Sequence, residues 1–262
     1  MTTLTAGNAS RLPEPQHVFP FVVGCSRSGT TLLRAMLDSH PELAVPPESH
    51  FAVARSARSL RRALRREPWF ALWEIAAPDV RRLDCADAVR ALFAAYAATR
   101  RKPRYADKTP HYVSHLPRLA ARFPEARFVH VVRDGRDVAL SLLEVPWGPD
   151  TIEEAALHWR RRVLEGRAAG LPTDRYRELR YEALMADPER ELRALAPWLE
   201  LDYDAAMLAY PHHSLTVPRP EHHRRLGLAP TPGLRDWRRE MAPEDAACFE
   251  AVAGDALAEL GY

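Results

Sequence analysis

The hydrophobic positions of this chain change period from one segment to the next. His17–Gly24 (HVFPFVVG) is a short apolar run rich in Val and Phe that ends at glycine, the pattern of a buried strand. A small polar stretch, CSRSGTT, follows. LLRAMLDSHPEL then places Leu32, Leu33, Met36 and Leu37 at helical spacing and stops before Pro41. The chain therefore opens as strand, small-residue loop, helix. Residues 49–100 alternate arginine-rich faces with Ala and Leu, with Pro68 and Pro78 as punctuation, and predict helices. Arg104–Lys108 predicts a short strand end. His111–Phe123 predicts a helix with Val113, Leu116 and Leu119 on one side. Arg127–Val132 (RFVHVV) is a second buried strand, followed by the turn RDGRD and the helix VALSLLEV. Residues 151–169 predict a long amphipathic helix, Tyr176–Arg180 a third strand, and Glu182–Leu199 a helical stretch interrupted at Pro188. Residues 210–235 hold five prolines and four histidines and read as an irregular excursion. The last helix, 242–260, is one that Pro243 opens from its first turn.

Strands alternating with helical segments predict an α/β fold of P-loop-like, three-layer type, with a central parallel sheet covered by helices on both faces. Residues 17–262 read as a single domain, and the polar, proline-containing residues 1–16 as a mobile N-terminal arm. Charge narrows the function classes. The 37 basic and 35 acidic residues nearly cancel, leaving a formal +2. This argues against a polybasic nucleic-acid binder and against an acidic disordered chain. No run approaches the ~18–20 apolar residues that span a bilayer, so no membrane residence is expected. The N-terminus lacks a basic region followed by an apolar stretch, and three widely spaced cysteines suggest no disulfide framework, so a cytoplasmic setting is expected. Arginine outnumbers lysine heavily: Lys102 and Lys108 are the only lysines. Lys102, beside Pro103, reads as a surface residue.

The first chemical motif is the loop GCSRSGTT between strand and helix. A helix N-terminus offers unpaired N–H groups and partial positive charge, and a small-residue loop lets the backbone wrap an anion. Gly24 and Gly29 have P-loop spacing, but Thr30 and Thr31 stand where a P-loop would continue with lysine. Arg27 is the charged residue of the loop. The competing reading is a loop that merely caps a helix through Ser28 or Thr30. The second motif, RFVHVVRDGRDVALSLL, puts Arg133 at the C-terminal end of a strand, where open α/β sheets bind ligands, with Ser141 eight residues on. Its competing reading is a surface turn in which Asp134 and Asp137 pair with Arg133 and Arg136.

Together, GCSRSGTTLL and FVHVVRDGRDVALSLL resemble the sulfotransferases that use 3′-phosphoadenosine-5′-phosphosulfate (PAPS), most closely the tyrosylprotein-sulfotransferase-like branch with its bacterial members. The resemblance runs from about residue 18 to 200. It implies that Arg27, Ser28, Gly29, Thr30 and Thr31 surround the 5′-phosphosulfate and that Arg133 and Ser141 hold the 3′-phosphate. It places Tyr181 near the adenine, against the alternative of a core tyrosine. More loosely, it assigns Arg235 and Trp237, in GLRDWRRE, to a segment closing over the cofactor. Glu48, 21 residues after Arg27, matches the branch's general base, which takes the acceptor's proton as the new bond forms. The competing readings are a Glu48 that caps a helix beginning near Ser49, and His50 as the base. Lys108, in YADKTPHYV, matches a lysine directed at the sulfuryl group, with Arg27 sharing its role.

The resemblance implies a catalytic set of Glu48, Arg27 and Lys108, release of adenosine 3′,5′-bisphosphate, and no metal. His212, His213, His222 and His223 have no cysteine or acidic triad beside them and predict an acceptor pocket or loop rather than a metal site. The partner is a hydroxyl-bearing acceptor, whether small metabolite, peptide or glycan. A homodimer stays open. Two rivals remain: a P-loop-type small-molecule kinase and a non-catalytic nucleotide-binding protein.

Overall fold

The computed structural model describes residues 17–66, 73–75, 78–210 and 235–262. The expected arm at 1–16, nearly all of the 210–235 excursion and its four histidines lie outside the described residues. Four strands form one parallel sheet: β1 (Phe19–Gly24), β4 (Asp107–Lys108), β5 (Ala126–Val132) and β6 (Tyr176–Arg180), in the order β4-β1-β5-β6. β1 is buried along its whole length and β5 nearly so, which is why both read as continuous apolar runs.

Strand side chains alternate between faces. From β1, Phe19, Phe21 and Val23 enter one apolar cluster with Leu92, Phe93, Leu116 and Phe123. Those partners come from α3 (Cys85–Thr99), α4 (Leu116–Arg122) and the residue after it. Val22 enters a second cluster with Leu33, Met36, Leu192 and Leu195, from α1 (Thr30–Asp38) and α8 (Pro188–Trp198). A third cluster joins Val132, Val138, Trp159 and Phe249. It is built by β5, α5 (Gly135–Leu143), α6 (Ile152–Arg167) and α10 (Pro243–Leu260). Helices therefore cover both faces of the sheet, as an α/β fold requires.

Several boundaries differ from the periodic pattern for identifiable reasons. The stretch Arg104–Lys108 divides between two ladders. β3 (Arg104–Tyr105) pairs in parallel with β2 (Leu43–Ala44), while Asp107 and Lys108 pair with Phe21 and Val22. The helix expected over 111–123 begins as a 3₁₀ segment, Pro110–His115, and becomes α4 only at Leu116. α5 starts inside the RDGRD turn, because the Asp134 side chain accepts a hydrogen bond from the Arg136 N–H. The helical stretch after β6 is interrupted at Pro188 as expected, dividing into α7 (Tyr181–Ala186) and α8, with Asp187 capping α8 through the Arg190 N–H. Residues 49–56 are not helical; α2 spans Ala57–Arg66. Lys102 is no free surface residue. It is mostly buried, and its ammonium donates to the Asp38 and Leu43 carbonyls, tying the C-terminal end of α1 to β2. α9 (Trp237–Glu240) precedes α10, which starts at Pro243 as expected.

Candidate active site

The loops at the C-terminal ends of β1, β4 and β5 converge, and they carry most of the motif residues. Gly29 is the N-cap of α1 with φ 98°, and no side chain caps the helix. Capping through Ser28 or Thr30 is thereby excluded, and the helix N-terminus keeps its anion-binding character. A Cβ at Gly29 would lie 2.3 Å from the Tyr181 ring, so only glycine fits beneath that tyrosine. Arg27, just before it, has φ 72°, a left-handed backbone that non-glycine residues seldom adopt.

Two groups of side chains form. In the first, Lys108 Nζ donates to Glu48 Oε1 at 2.6 Å and approaches Thr31 Oγ1 at 3.4 Å. His50 Nε2 lies 3.4 Å from Glu48 Oε2 and its ring stacks on His111. Burial alone would raise the Glu48 carboxyl, but the Lys108 ammonium, with His50 and His111 beyond it, holds it below the ordinary carboxylate value. Lys108 is buried, and desolvation pulls it below the ordinary lysine value despite Glu48. In the second group, Arg27 Nε donates to Ser141 Oγ at 2.9 Å, and Arg133 donates to the Arg27 carbonyl at 3.4 Å. The Arg133 guanidinium lies 4.4 Å from the centre of the Tyr181 ring. Tyr181, the first residue of α7, thus sits between the two motifs, partly buried and packed against the second apolar cluster.

The expected acid–base pairing in RDGRD does occur. Arg133 lies 3.4 Å from Asp137 and Arg136 2.9 Å from Asp134, but both pairs are largely buried rather than on the surface. Trp237 reaches the same helix end, donating from its backbone to Asp137 at 2.8 Å and from Nε1 to Asp134 at 3.1 Å. Arg235 pairs with Glu144 and lies 3.8 Å from Glu240.

Four residues of the site escape motif reasoning. Buried Arg34 donates to the Val45 and Pro46 carbonyls at 2.9 and 3.1 Å, fastening α1 to the chain that leads into Glu48. Ser49, Asp107 and Tyr112 form a buried hydrogen-bonded cluster beneath Glu48 and Lys108. The only signal for Ser49 and Asp107 is that each adjoins a motif residue.

The donor set suits a phosphorylated anion. Ser28 Oγ and Arg133 Nε are buried and, among the described residues, lack a hydrogen-bond partner. An unmet buried donor costs about 1–3 kcal/mol, which an anionic ligand would relieve. No group of three or more His, Cys, Asp or Glu side chains among the described residues is placed to hold a metal ion. No described helix is long and apolar enough to cross a membrane.

Comparison with known proteins points the same way. The model of the family described as "Sulfotransferase family" matches residues 21–205. The nodulation protein NoeE of Sinorhizobium fredii is 28% identical over 97% of this chain and 68% of its own length. Protein-tyrosine sulfotransferase 1 of Danio rerio is 26% identical over 92% of this chain and 71% of its own. Among solved structures, the sulfotransferase domain of the Synechococcus PCC 7002 olefin synthase superposes with a TM-score of 0.63 at 25% identity. That match covers 93% of this chain and 98% of the domain.

Proposed function

Because this chain belongs to the sulfotransferase family, we propose that it moves the sulfuryl group of PAPS to an acceptor hydroxyl, with Glu48 as the general base. The observation that carries this reading is the placement of Lys108. Its ammonium is 2.6 Å from Glu48 and 3.4 Å from Thr31, so one buried cation stands between a carboxylate and the anion loop. When bound, PAPS supplies a sulfuryl group on a phosphate leaving group. Arg27, Ser28, Gly29, Thr30 and Thr31 would hold the phosphosulfate end through the loop and the N-terminus of α1, and Arg133 and Ser141 the 3′-phosphate. Tyr181, between Gly29 and Arg133, would lie near the adenine. Trp237 holds the segment after residue 234 against α5.

Glu48 accepts the hydroxyl proton, and Lys108 and Arg27 keep positive charge beside the developing anion. Glu48 is preferred to His50 because it is the group directly on Lys108. The acceptor is a hydroxyl of a metabolite, peptide or glycan. The relatives named for protein tyrosine show that a protein side chain is within the family's reach. The three cysteines are free, which suits the cytoplasm.

The Glu48→Ala variant is expected to lose turnover by about 10²–10⁴-fold, the usual worth of a positioned base. It should keep its affinity for adenosine 3′,5′-bisphosphate, measured by calorimetry. Labelled-sulfate transfer at near wild-type rate in this variant would remove Glu48 from the mechanism.

A further inference from the structure

Ser49 directly follows Glu48, and Asp107 directly precedes Lys108. Successive strand residues face opposite sides of a sheet, so Asp107 and Lys108 leave β4 in opposite directions. The incoming loop straddles the strand in the same way. Glu48 meets Lys108 on one side at 2.6 Å, and the Ser49 hydroxyl donates to Asp107 Oδ2 on the other. Since the Ser49 proton goes to Asp107, the contact between Ser49 Oγ and the Tyr112 hydroxyl, 2.9 Å, has Tyr112 as donor. Tyr112 in turn accepts from the Ala52 N–H at 2.8 Å, and the Ser49 N–H donates to Thr109 Oγ1 at 3.1 Å. With Asp107 ionised, the chain of donors runs one way, from the loop backbone through two hydroxyls to the carboxylate.

We infer that Ser49, Asp107 and Tyr112 form a buried clamp that fixes Glu48 against Lys108, and that they are positioning residues for the transfer. This rests on the proposed function. Three features set the clamp apart from ordinary core packing. All three side chains are almost fully buried, at 1%, 1% and 0% exposure. Burial pushes the Asp107 carboxyl up to about 7, against the hydrogen bonds from Ser49 and Thr109 and the nearby Lys108, with Glu48 adding to the rise. A carboxyl group in so dry a place is costly, and an apolar residue would fill the space more cheaply. His50, next along the loop, has φ 53°. Such a backbone persists only where the surroundings over-determine it. The clamp and the Arg34 contacts supply that constraint from either side of Glu48.

Ser49→Ala and Tyr112→Phe each cut the chain at a different link by removing one hydroxyl. Each is expected to lower kcat about 10–100-fold, the cost of displacing a catalytic group by about an ångström. Affinity for adenosine 3′,5′-bisphosphate should stay within about twofold, since the anion loop is untouched. In the unliganded protein, amide hydrogen exchange at Ser49 and Ala52 should quicken in both variants. Asp107→Asn keeps an acceptor for Ser49 and should retain more kcat than Asp107→Ala. Unchanged kcat in both hydroxyl variants, unchanged exchange at the two amides, or loss of ligand affinity in step with kcat would each overturn the clamp. A wild-type chain that neither binds adenosine 3′,5′-bisphosphate nor transfers labelled sulfate to any of a phenol, an alcohol and a tyrosine peptide would overturn the proposed function itself. The exchange result would still decide whether the loop is held as inferred.

Discussion

The Glu48 carboxyl faces an ammonium on one side and an imidazole on the other, and the two neighbours predict different pH behaviour. Lys108 holds Glu48 below the ordinary carboxylate value of about 4.3, with His50 and His111 adding to the effect. A base with a lowered pKa remains deprotonated further into acid, so the acidic limb of kcat/KM should fall below about pH 4.3. Lys108 must be protonated to act, and burial pulls it below the ordinary lysine value, so the alkaline limb should fall below about pH 10.4. A kcat/KM profile taken from pH 4 to 10 separates Glu48 from His50 as the base. An acidic limb that persists in Glu48→Gln and is lost in His50→Gln would transfer the role to the histidine.

The elements hold these residues by close approaches that only glycine allows. Gly166 lies inside α6, where alanine would ordinarily improve the helix by about 1 kcal/mol. Here a Cβ would come within 2.6–2.7 Å of the His130 ring and 2.8 Å of Val113, all of it buried. His130 cannot easily yield, because its Nδ1 is engaged with the Tyr176 hydroxyl at 2.6 Å across β5 and β6. Gly166→Ala should therefore destabilise by about 1–2 kcal/mol net of the helix gain, lowering Tm by about 2–8 °C. Calorimetry finding an equal or higher Tm would contradict the packing.

Such contacts also mark what a sequence can express. β1 and β5 were legible because a strand buried on both faces leaves a continuous apolar run. β2 was not, because two residues have no period, and Arg104–Lys108 reads as one strand end because nothing local divides it between the ladders of β3 and β4. Arg27, Gly29, Arg133 and Ser141 were legible because each lies within one strand–loop–helix unit of fixed spacing. Ser49 meets Asp107 across 58 positions and Tyr112 across 63, and no local spacing encodes either meeting. Arg34 reads as an ordinary helix arginine until the fold brings Val45 and Pro46 to it.

At the scale of the whole molecule, a net charge of +2 over 262 residues gives little general attraction for a multiply charged ligand. Many of the abundant arginines are spent on carboxylates at the surface, as in Arg160–Asp255 and Arg193–Glu189. Discrimination must then come from the few cations set around the anion loop, and these are arranged unlike those of a P-loop kinase. The loop carries no lysine of its own; Lys108 reaches it from β4, and in the proposed reading Arg133 and Ser141 take a second anion beside α5. Adenosine 3′,5′-bisphosphate can engage that second site, whereas ATP has no 3′-phosphate to offer it. A ligand at about 100 times its Kd stabilises the native state by about 2.7 kcal/mol. For a chain of this size that raises Tm by roughly 5–10 °C. Adenosine 3′,5′-bisphosphate should produce such a shift, ATP at the same concentration a much smaller one, and Arg133→Ala should narrow the difference between them. Equal shifts from both nucleotides in the wild-type chain would favour the kinase reading, because the arginine–serine pair would then be reading nothing that ATP lacks.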